Sequence, residues 1–229
     1  MGKDAVDARP VVAVTGLDVE ARIAAGPGVR TLAGGGDLPR LAIALDDALA
    51  RGAAAIISFG IAGGLHASAV PGTWIVANAV VTSTSRWGVD AHWAAALARS
   101  LPGAVRGNVT GSDAIVAEPG EKFALGMTAG ALAVDMESHA VAAFASAHGL
   151  PFAVFRVIAD PVTRALAPAA LCGMRADGTV NQGAVLGSVL RTPSQLPLLM
   201  RNAMDVRVAL RELSRGRRLL GPGLDYPDF

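Results

Sequence analysis

Short apolar runs alternate with helix-like segments along most of this chain, and that alternation constrains its fold more than any other feature. Strands that alternate with helices predict a largely parallel sheet covered on both faces. Buried strands are predicted at residues 11–14, 54–59, 74–81, 105–109, 131–134 and 152–158. Helices are predicted at residues 37–51, 92–100, 118–125, 136–148, 185–190 and 196–214.

The chain has 229 residues and no internal repeat, linker or low-complexity block. We therefore expect one domain over residues 1–229, with a loose tail over about 221–229, where Gly, Pro and Asp are frequent. Residues 1–10 lack the apolar core of a signal peptide, and no uninterrupted apolar run is long enough for a transmembrane helix. A cytoplasmic location is the resulting expectation.

Composition excludes several classes of function. A net charge of +1 provides no strong field for nucleic acid, and an aromatic content of 4% is low for a base-stacking surface. Cys172 is the only cysteine, and His66, His92, His139 and His148 lack the spacing of metal ligands. We expect no metal and no cofactor, and we assign the histidines structural or surface roles.

Two carboxylates follow apolar, strand-like runs. Glu137 comes after residues 131–134, and Asp160 ends the strongly apolar strand at 152–158. Ligands of open α/β sheets bind at the carboxyl ends of strands, so both side chains are expected to face one cleft. An apolar setting raises a carboxyl pKa, which would let Asp160 act as a general acid. Glu137 would accept hydrogen bonds from ribose hydroxyls.

Each of these carboxylates also has a purely structural explanation. An Asp-Pro pair favours a turn, and an acid in the first turn of a helix is stabilised by the helix dipole. Glu20 and Arg22 follow the first strand and are similarly ambiguous: Glu20 could activate water and Arg22 could bind phosphate, or both could lie exposed at a helix start. The glycine-rich turns at 34–36, 60–64 and 111–113 suit close approach of an anion, although the dinucleotide-binding spacing is absent.

Four segments in this order resemble the purine nucleoside phosphorylase and uridine phosphorylase superfamily, which includes the methylthioadenosine/S-adenosylhomocysteine nucleosidases. They are Ser58 to Leu65, Gly111 to Ala114, Val134 to Ser138 and Arg156 to Asp160. Gly16-Leu17, Glu20-Ala21-Arg22, Asp160-Pro161 and Gln195-Leu196-Pro197 are similar to the hopanoid-associated phosphorylases, which act on adenosylhopane.

The resemblance implies a three-layer αβα fold around a mixed, partly closed sheet. It also implies roles for individual residues. Asp160 would protonate the purine, Met136 and Glu137 would hold the ribose, and Ile115 and Val116 would line the base pocket. Gly35, Gly36 and Gly63 would bring backbone amides to phosphate or to the nucleophile. Ile61 replaces a serine that helps position the nucleophile in many relatives.

The implied activity is cleavage of the N-glycosidic bond of an adenine nucleoside with a large apolar 5′ substituent, adenosylhopane being the candidate. The branch resemblance favours inorganic phosphate as co-substrate. Glu20 favours water instead, because a carboxylate about 4 Å from phosphate costs on the order of 4 kcal/mol at an effective dielectric near 20. A nucleosidase is therefore the first alternative, and a non-catalytic nucleoside-binding protein is the second.

A lipid-linked substrate would need an apolar entrance to the site. The apolar face of residues 196–213, or Trp87 and Trp93 if exposed, would supply it, although the same side chains suit a dimer interface or the core. Such a surface also predicts weak peripheral contact with a membrane. The resemblance implies a homo-oligomer, a dimer or larger.

Overall fold

A computed structural model describes residues 9–173 and 181–229. Residues 1–8, where we expected no signal peptide, lie outside the described residues. The strands are β1 (Val11–Thr15), β2 (Val29–Ala33), β3 (Ala55–Gly64), β4 (Trp74–Val81), β5 (Arg86–Gly88), β6 (Val105–Gly111), β7 (Ala133–Asp135) and β8 (Phe152–Asp160). The helices are α1 (Asp18–Ala24), α2 (Leu38–Ala50), α3 (Ala91–Ser100), α4 (Pro119–Ala129), α5 (Ser138–Ala147), α6 (Pro168–Gly173), α7 (Gln182–Arg191) and α8 (Leu196–Leu219).

The eight strands form one mixed sheet, in which seven follow the order β2-β1-β3-β7-β6-β4-β5. Strand β8 lies off this path and pairs with β3 in parallel and with β4 in antiparallel orientation. That double pairing joins β3, β7, β6, β4 and β8 into a ring and closes part of the sheet on itself. The mixed, partly closed sheet implied by the resemblance is therefore confirmed, and five of the eight strand pairings are parallel.

Helices cover both faces of the sheet, and each layer has its own apolar core. Buried residues of α3 and α8, including Trp93 and Leu213, pack on one face with Phe155 of β8. Buried residues of α2 and α5, including Leu41 and Val141, pack on the other face. The buried residues of α2 and α5 recur at intervals of three and four, so the local sequence pattern agrees with the packing.

Strand β3 runs further than predicted. Its first half, through Phe59, is apolar and buried, and residues 60–64 were expected to form a glycine-rich turn. They continue the strand instead: Gly63 pairs with Val134 of β7 and with Asp160 of β8. Glycine suits this position because a Cβ atom at Gly63 would lie only 3.3 Å from Oδ2 of Asp160 and from Cγ1 of Val134.

Part of the C-terminal segment 221–229, predicted to be a loose tail, packs on the domain, while residues 227–229 are exposed. Leu224 is completely buried, and its carbonyl oxygen accepts a hydrogen bond of 2.8 Å from Nε1 of Trp93. Trp93 also contacts Tyr226 edge to face. Trp93 is thus a core residue that anchors this segment, so it cannot form an exposed entrance. No helix in residues 9–173 or 181–229 combines the length and apolarity needed to cross a bilayer.

Candidate active site

A cavity of about 240 Å³ lies where the carboxyl ends of β1, β3, β7 and β8 meet. Strands β1, β3 and β8 are parallel and place the residues that follow them at one edge of the sheet, and β7 reaches the same place by antiparallel pairing with the end of β3. The lining includes ten of the eleven predicted site residues: Glu20, Gly35, Gly36, Ile61, Gly63, Ile115, Val116, Met136, Glu137 and Asp160. Their chemical roles remain predictions.

Glu20 is buried at the start of α1 and faces the cavity. Its carboxylate accepts hydrogen bonds from the backbone N–H groups of Gly16 and Leu17, each at 2.8 Å, and of Ile61 at 2.7 Å. Burial raises the pKa of Glu20 above its usual range, although Arg156 and these three N–H groups favour the charged form. Ile61 stands where many relatives have a serine. Its backbone N–H group donates to Glu20 and thereby orients the carboxylate.

Glu20 and Arg156 approach each other across Gly60. Gly60 has a φ of 153°, and a Cβ atom added there would lie 2.7 Å from Cδ of Glu20 and 2.8 Å from Nη1 of Arg156. No real Cβ atom tolerates such contacts, so this position requires glycine. The glycine in the middle of β3 therefore leaves room for the Glu20 carboxylate and the Arg156 guanidinium on the same side of the strand.

Arg156 is the central cation of the site, a role that the sequence pattern did not predict. Its Nε atom lies 2.8 Å from Oδ2 of Asp135 in an ion pair that is not aligned as a hydrogen bond. Its Nη2 atom donates to Oγ of Ser58 at 2.6 Å and contacts Oε2 of Glu137 at 3.4 Å. Burial opposes the charge of Arg156, but the surrounding carboxylates outweigh burial and raise its pKa.

Glu137 lies at the N-terminal end of α5, with its side chain against Gly16 and Gly34. Burial raises the pKa of Glu137 to about 7, because the nearby carboxylates of Asp135 and Glu20 add to desolvation while Arg156 only partly opposes them. Met136 beside it contacts Gly36, whose φ is 76°. A Cβ atom at Gly36 would lie 2.9 Å from Cε of Met136, so glycine at this position lets the Met136 side chain pack on the turn.

Asp160 forms an ion pair with Lys122 of α4, and Lys122 also donates to the carbonyl of Arg164 at 2.7 Å. Lys122 is fully buried. Burial nevertheless raises the pKa of Asp160, since desolvation outweighs the opposing effects of Lys122 and Arg164. The sequence offered little signal for Lys122 beyond its rarity: Lys3 and Lys122 are the only lysines among 20 basic residues.

Two of the residues predicted to contact phosphate have other partners in the structure. Arg22 is exposed, and its Nε atom donates to the carbonyl of Asp18 on its own helix. Residues two positions apart on a helix point in opposite directions, so Arg22 cannot share the cavity with Glu20. Gly35 lies at the cavity, but its amide already donates to the carbonyl of Gly16 at 3.1 Å.

The other end of the cavity is apolar. Ile115, Val116, Leu166 and Leu171 line it, together with Val206 of α8. Asn202, one turn before Val206, accepts from the N–H of Ala167 at 2.9 Å and donates to the carbonyl of Ala165 at 3.2 Å. The segment between β8 and α6 is thereby held over the cavity by α8. Within the described parts of the chain, no group of three His, Cys, Asp or Glu side chains is placed to hold a metal ion.

Residues 34–180 match the family model of the phosphorylase superfamily. The match covers more than half of the chain and includes β3, β7, β8 and most of the cavity lining. The chain belongs to the phosphorylase superfamily. No curated protein matches it.

Solved structures of this superfamily share the fold at low sequence identity. The 5′-methylthioadenosine/S-adenosylhomocysteine nucleosidase of S. pneumoniae, with a transition-state inhibitor, is 14% identical with a TM-score of 0.58, over 90% of this chain and 98% of that one. A Helicobacter pylori MTAN mutant with 5′-methylthioadenosine is 15% identical with a TM-score of 0.60, over 94% and 98% of the chains. The futalosine hydrolase of H. pylori is 15% identical with a TM-score of 0.60, over 92% and 97%.

Proposed function

We propose that this member of the superfamily hydrolyses the N-glycosidic bond of an adenine nucleoside with a large apolar 5′ substituent. The observation that carries the proposal is the convergence of Glu20, Glu137 and Asp160 on one cavity. Each of the three carboxyls has a raised pKa, but each has different partners. Different surroundings let similar groups take different roles in acid–base chemistry.

The reaction needs a proton donor at the base and a proton acceptor at the attacking water. Protonated Asp160 would donate its proton to N7 of the purine as the C1′–N9 bond breaks. Glu137, at the sugar, would accept hydrogen bonds from the ribose hydroxyls in its charged form. Glu20 would take a proton from water as the water oxygen bonds to C1′, which leaves free adenine and a free ribose product.

The distribution of charge supports water over phosphate. Arg156 is the one cationic side chain in the described cavity lining, and it already faces Asp135, Glu137 and Glu20. A phosphate near Glu20 would add negative charge to the site. Its repulsion by a charged carboxylate about 4 Å away would cost on the order of 4 kcal/mol. With Arg22 outside the cavity, the cation that we had expected to offset this repulsion is missing from the described lining.

Phosphorolysis is the second candidate, and the raised pKa of Glu20 is the observation that favours it. A protonated Glu20 would donate a hydrogen bond to phosphate instead of repelling it. The resemblance to hopanoid-associated phosphorylases supports the same co-substrate.

The apolar end of the cavity supports an apolar 5′ substituent. Pockets that enclose drug-sized ligands occupy about 300–1,000 Å³. A cavity of about 240 Å³ would hold a nucleoside, but a polycyclic substituent such as that of adenosylhopane would extend beyond it. Leu166 and Val206 would contact the part of the substituent nearest the ribose.

The test is release of adenine by the purified protein from adenosine, methylthioadenosine and adenosylhopane, each with and without phosphate. We expect release from at least one nucleoside in phosphate-free buffer, with free ribose at the cleaved end. Release that stops without phosphate, with a ribose 1-phosphate product, would move the assignment to phosphorolysis. If the protein binds all three nucleosides but releases no adenine, it would be a non-catalytic nucleoside-binding protein.

A further inference from the structure

Helix α8 has an apolar row on the side that faces away from the protein. Leu196, Met200, Met204 and Val208 follow one another at intervals of four residues, and all four are exposed, Met204 by 64%. We call these four residues the α8 outer row. Residues four apart share one face of a helix, so the side chains form a continuous stripe.

The opposite side of the same turns belongs to the active-site cavity and the core. Asn202 and Val206 line the cavity, and Ala209 and Leu213 are completely buried. The N-terminal half of α8 is therefore apolar on both sides. An exposed apolar row of this length is unusual on a protein surface, and within the described chain Val208 lies beside Gly72 while all four side chains of the outer row stay exposed.

The charge of this region is strongly positive. Residues 182–220 contain seven arginines and two acidic residues, a net charge of +5, whereas the whole chain carries +1. Both acids are already paired, Asp205 with Arg164 and Glu212 with Arg215. Arg201, Arg207, Arg211 and Arg218 of α8 are exposed. Arg207 and Arg211 are four residues apart, like neighbouring members of the outer row. They therefore form a second stripe on the helix that runs beside the methionines.

We propose that the α8 outer row docks on the surface of an anionic lipid membrane. Methionine and leucine side chains would enter the boundary between headgroups and acyl chains, while the arginines bind phosphate and carboxylate groups of the lipids. A second copy of the chain fits less well, because a two-fold contact through this row would bring arginines of equal charge together. The proposal does not depend on the catalytic activity, and its test contains no nucleoside.

The experiment is flotation of the full-length protein with phosphatidylcholine vesicles that contain phosphatidylglycerol, compared with pure phosphatidylcholine vesicles. We expect binding to the anionic vesicles that weakens as salt is raised, because salt screens the arginine contacts. No binding, or equal binding to both kinds of vesicle, would overturn the proposal.

Variants identify the surface that binds. Met200→Ser with Met204→Ser, and separately Arg207→Gln with Arg211→Gln, should each weaken binding to anionic vesicles about tenfold. The matched controls are Ile43→Ser and Arg40→Gln on α2, whose side chains are exposed in the other helical layer; these should bind as wild type does. Unchanged binding by both α8 variants would refute the assignment.

Sedimentation equilibrium in the absence of lipid tests the competing occupant. We expect the Met200→Ser, Met204→Ser variant to keep the oligomeric state of the wild type. A wild-type dimer that this variant converts to monomer would show that a second copy covers the outer row, which would overturn membrane docking.

Discussion

Lys122 and Asp160 form an ion pair at the edge of the cavity, with the lysine fully buried and the aspartate partly so. The pair joins α4 to the end of β8, and the second hydrogen bond of Lys122, to the carbonyl of Arg164, fixes the segment that follows. The proposed proton donor thus has a cation beside it, which stabilises its charge after the proton has left. Lys122 positions Asp160 and is not itself expected to contact the substrate.

Replacement of Asp160 by asparagine should remove the proposed general acid. We expect turnover to fall by roughly 100- to 10,000-fold, the usual contribution of a positioned acid or base. The amide oxygen can still accept from Lys122, so the fold should persist. Adenine release and thermal unfolding measure the two effects. Asp113→Asn, on an exposed acid paired with His139, is the control, and turnover of D160N near that of wild type would exclude the proposed role.

Replacement of Lys122 by methionine should change the pH dependence. Lys122 lowers the pKa of Asp160 against the larger effect of burial, so its loss should raise that pKa further. Because the reaction needs protonated Asp160, the alkaline limb of kcat/KM should move to higher pH. Glu121→Gln, an exposed neighbour on α4, should leave the limb in place. A limb that stays in place, or moves to lower pH, in the Lys122→Met protein would contradict the pairing.

Replacement of Glu20 by glutamine separates water from phosphate. Hydrolysis should fall by roughly 100-fold or more, since an amide cannot take a proton from water. Phosphate-dependent cleavage should instead persist or rise, because the carboxylate charge that opposes phosphate is gone. Adenine release with and without phosphate, measured beside Glu118→Gln, distinguishes the two mechanisms. Undiminished hydrolysis would remove Glu20 as the base.

Replacement of Gly60 by alanine should destabilise the protein. The unfavourable φ alone costs roughly 1–3 kcal/mol, and the overlap with Glu20 and Arg156 adds to it. Urea unfolding measures the loss. Gly88→Ala is the matched control, because no atom lies within 4 Å of a Cβ atom added there. Equal stability of the two variants would mean that Gly60 has neither the unfavourable φ nor the close approach of Glu20 and Arg156 described above.

Glu137 should make stability depend on pH. Its pKa rises from 4.5 to about 7 on folding, so the folded protein holds this proton more tightly than the unfolded chain does. That contribution to stability is complete below about pH 4.5 and is lost as the pH rises through 7. Glu20 and Asp160 act in the same direction, so the difference between wild type and Glu137→Gln isolates Glu137.

We expect the free energy of unfolding of the wild type to fall more steeply than that of Glu137→Gln between about pH 4.5 and 7. Denaturant titrations across this range measure it, with Glu118→Gln as the exposed control. Parallel curves for wild type and Glu137→Gln would show that Glu137 has an ordinary pKa.

The sequence by itself determined the main elements and the edge of the sheet where chemistry is placed. The apolar run before Asp160 could only be a buried strand, and an acid that follows such a strand in an α/β sheet lies at the ligand-binding edge. The tertiary structure decided the partners of each acid. Lys122 and Asp160 are 38 residues apart, and Arg156 gathers Ser58 from β3 and both Asp135 and Glu137 from the end of β7. Contacts of this kind depend on which strands become neighbours, and local periodicity carries no information about that. Helix periodicity predicts that Glu20 and Arg22 point in different directions, but only the packing of α1 on the sheet decides that Glu20 is the one facing the cavity.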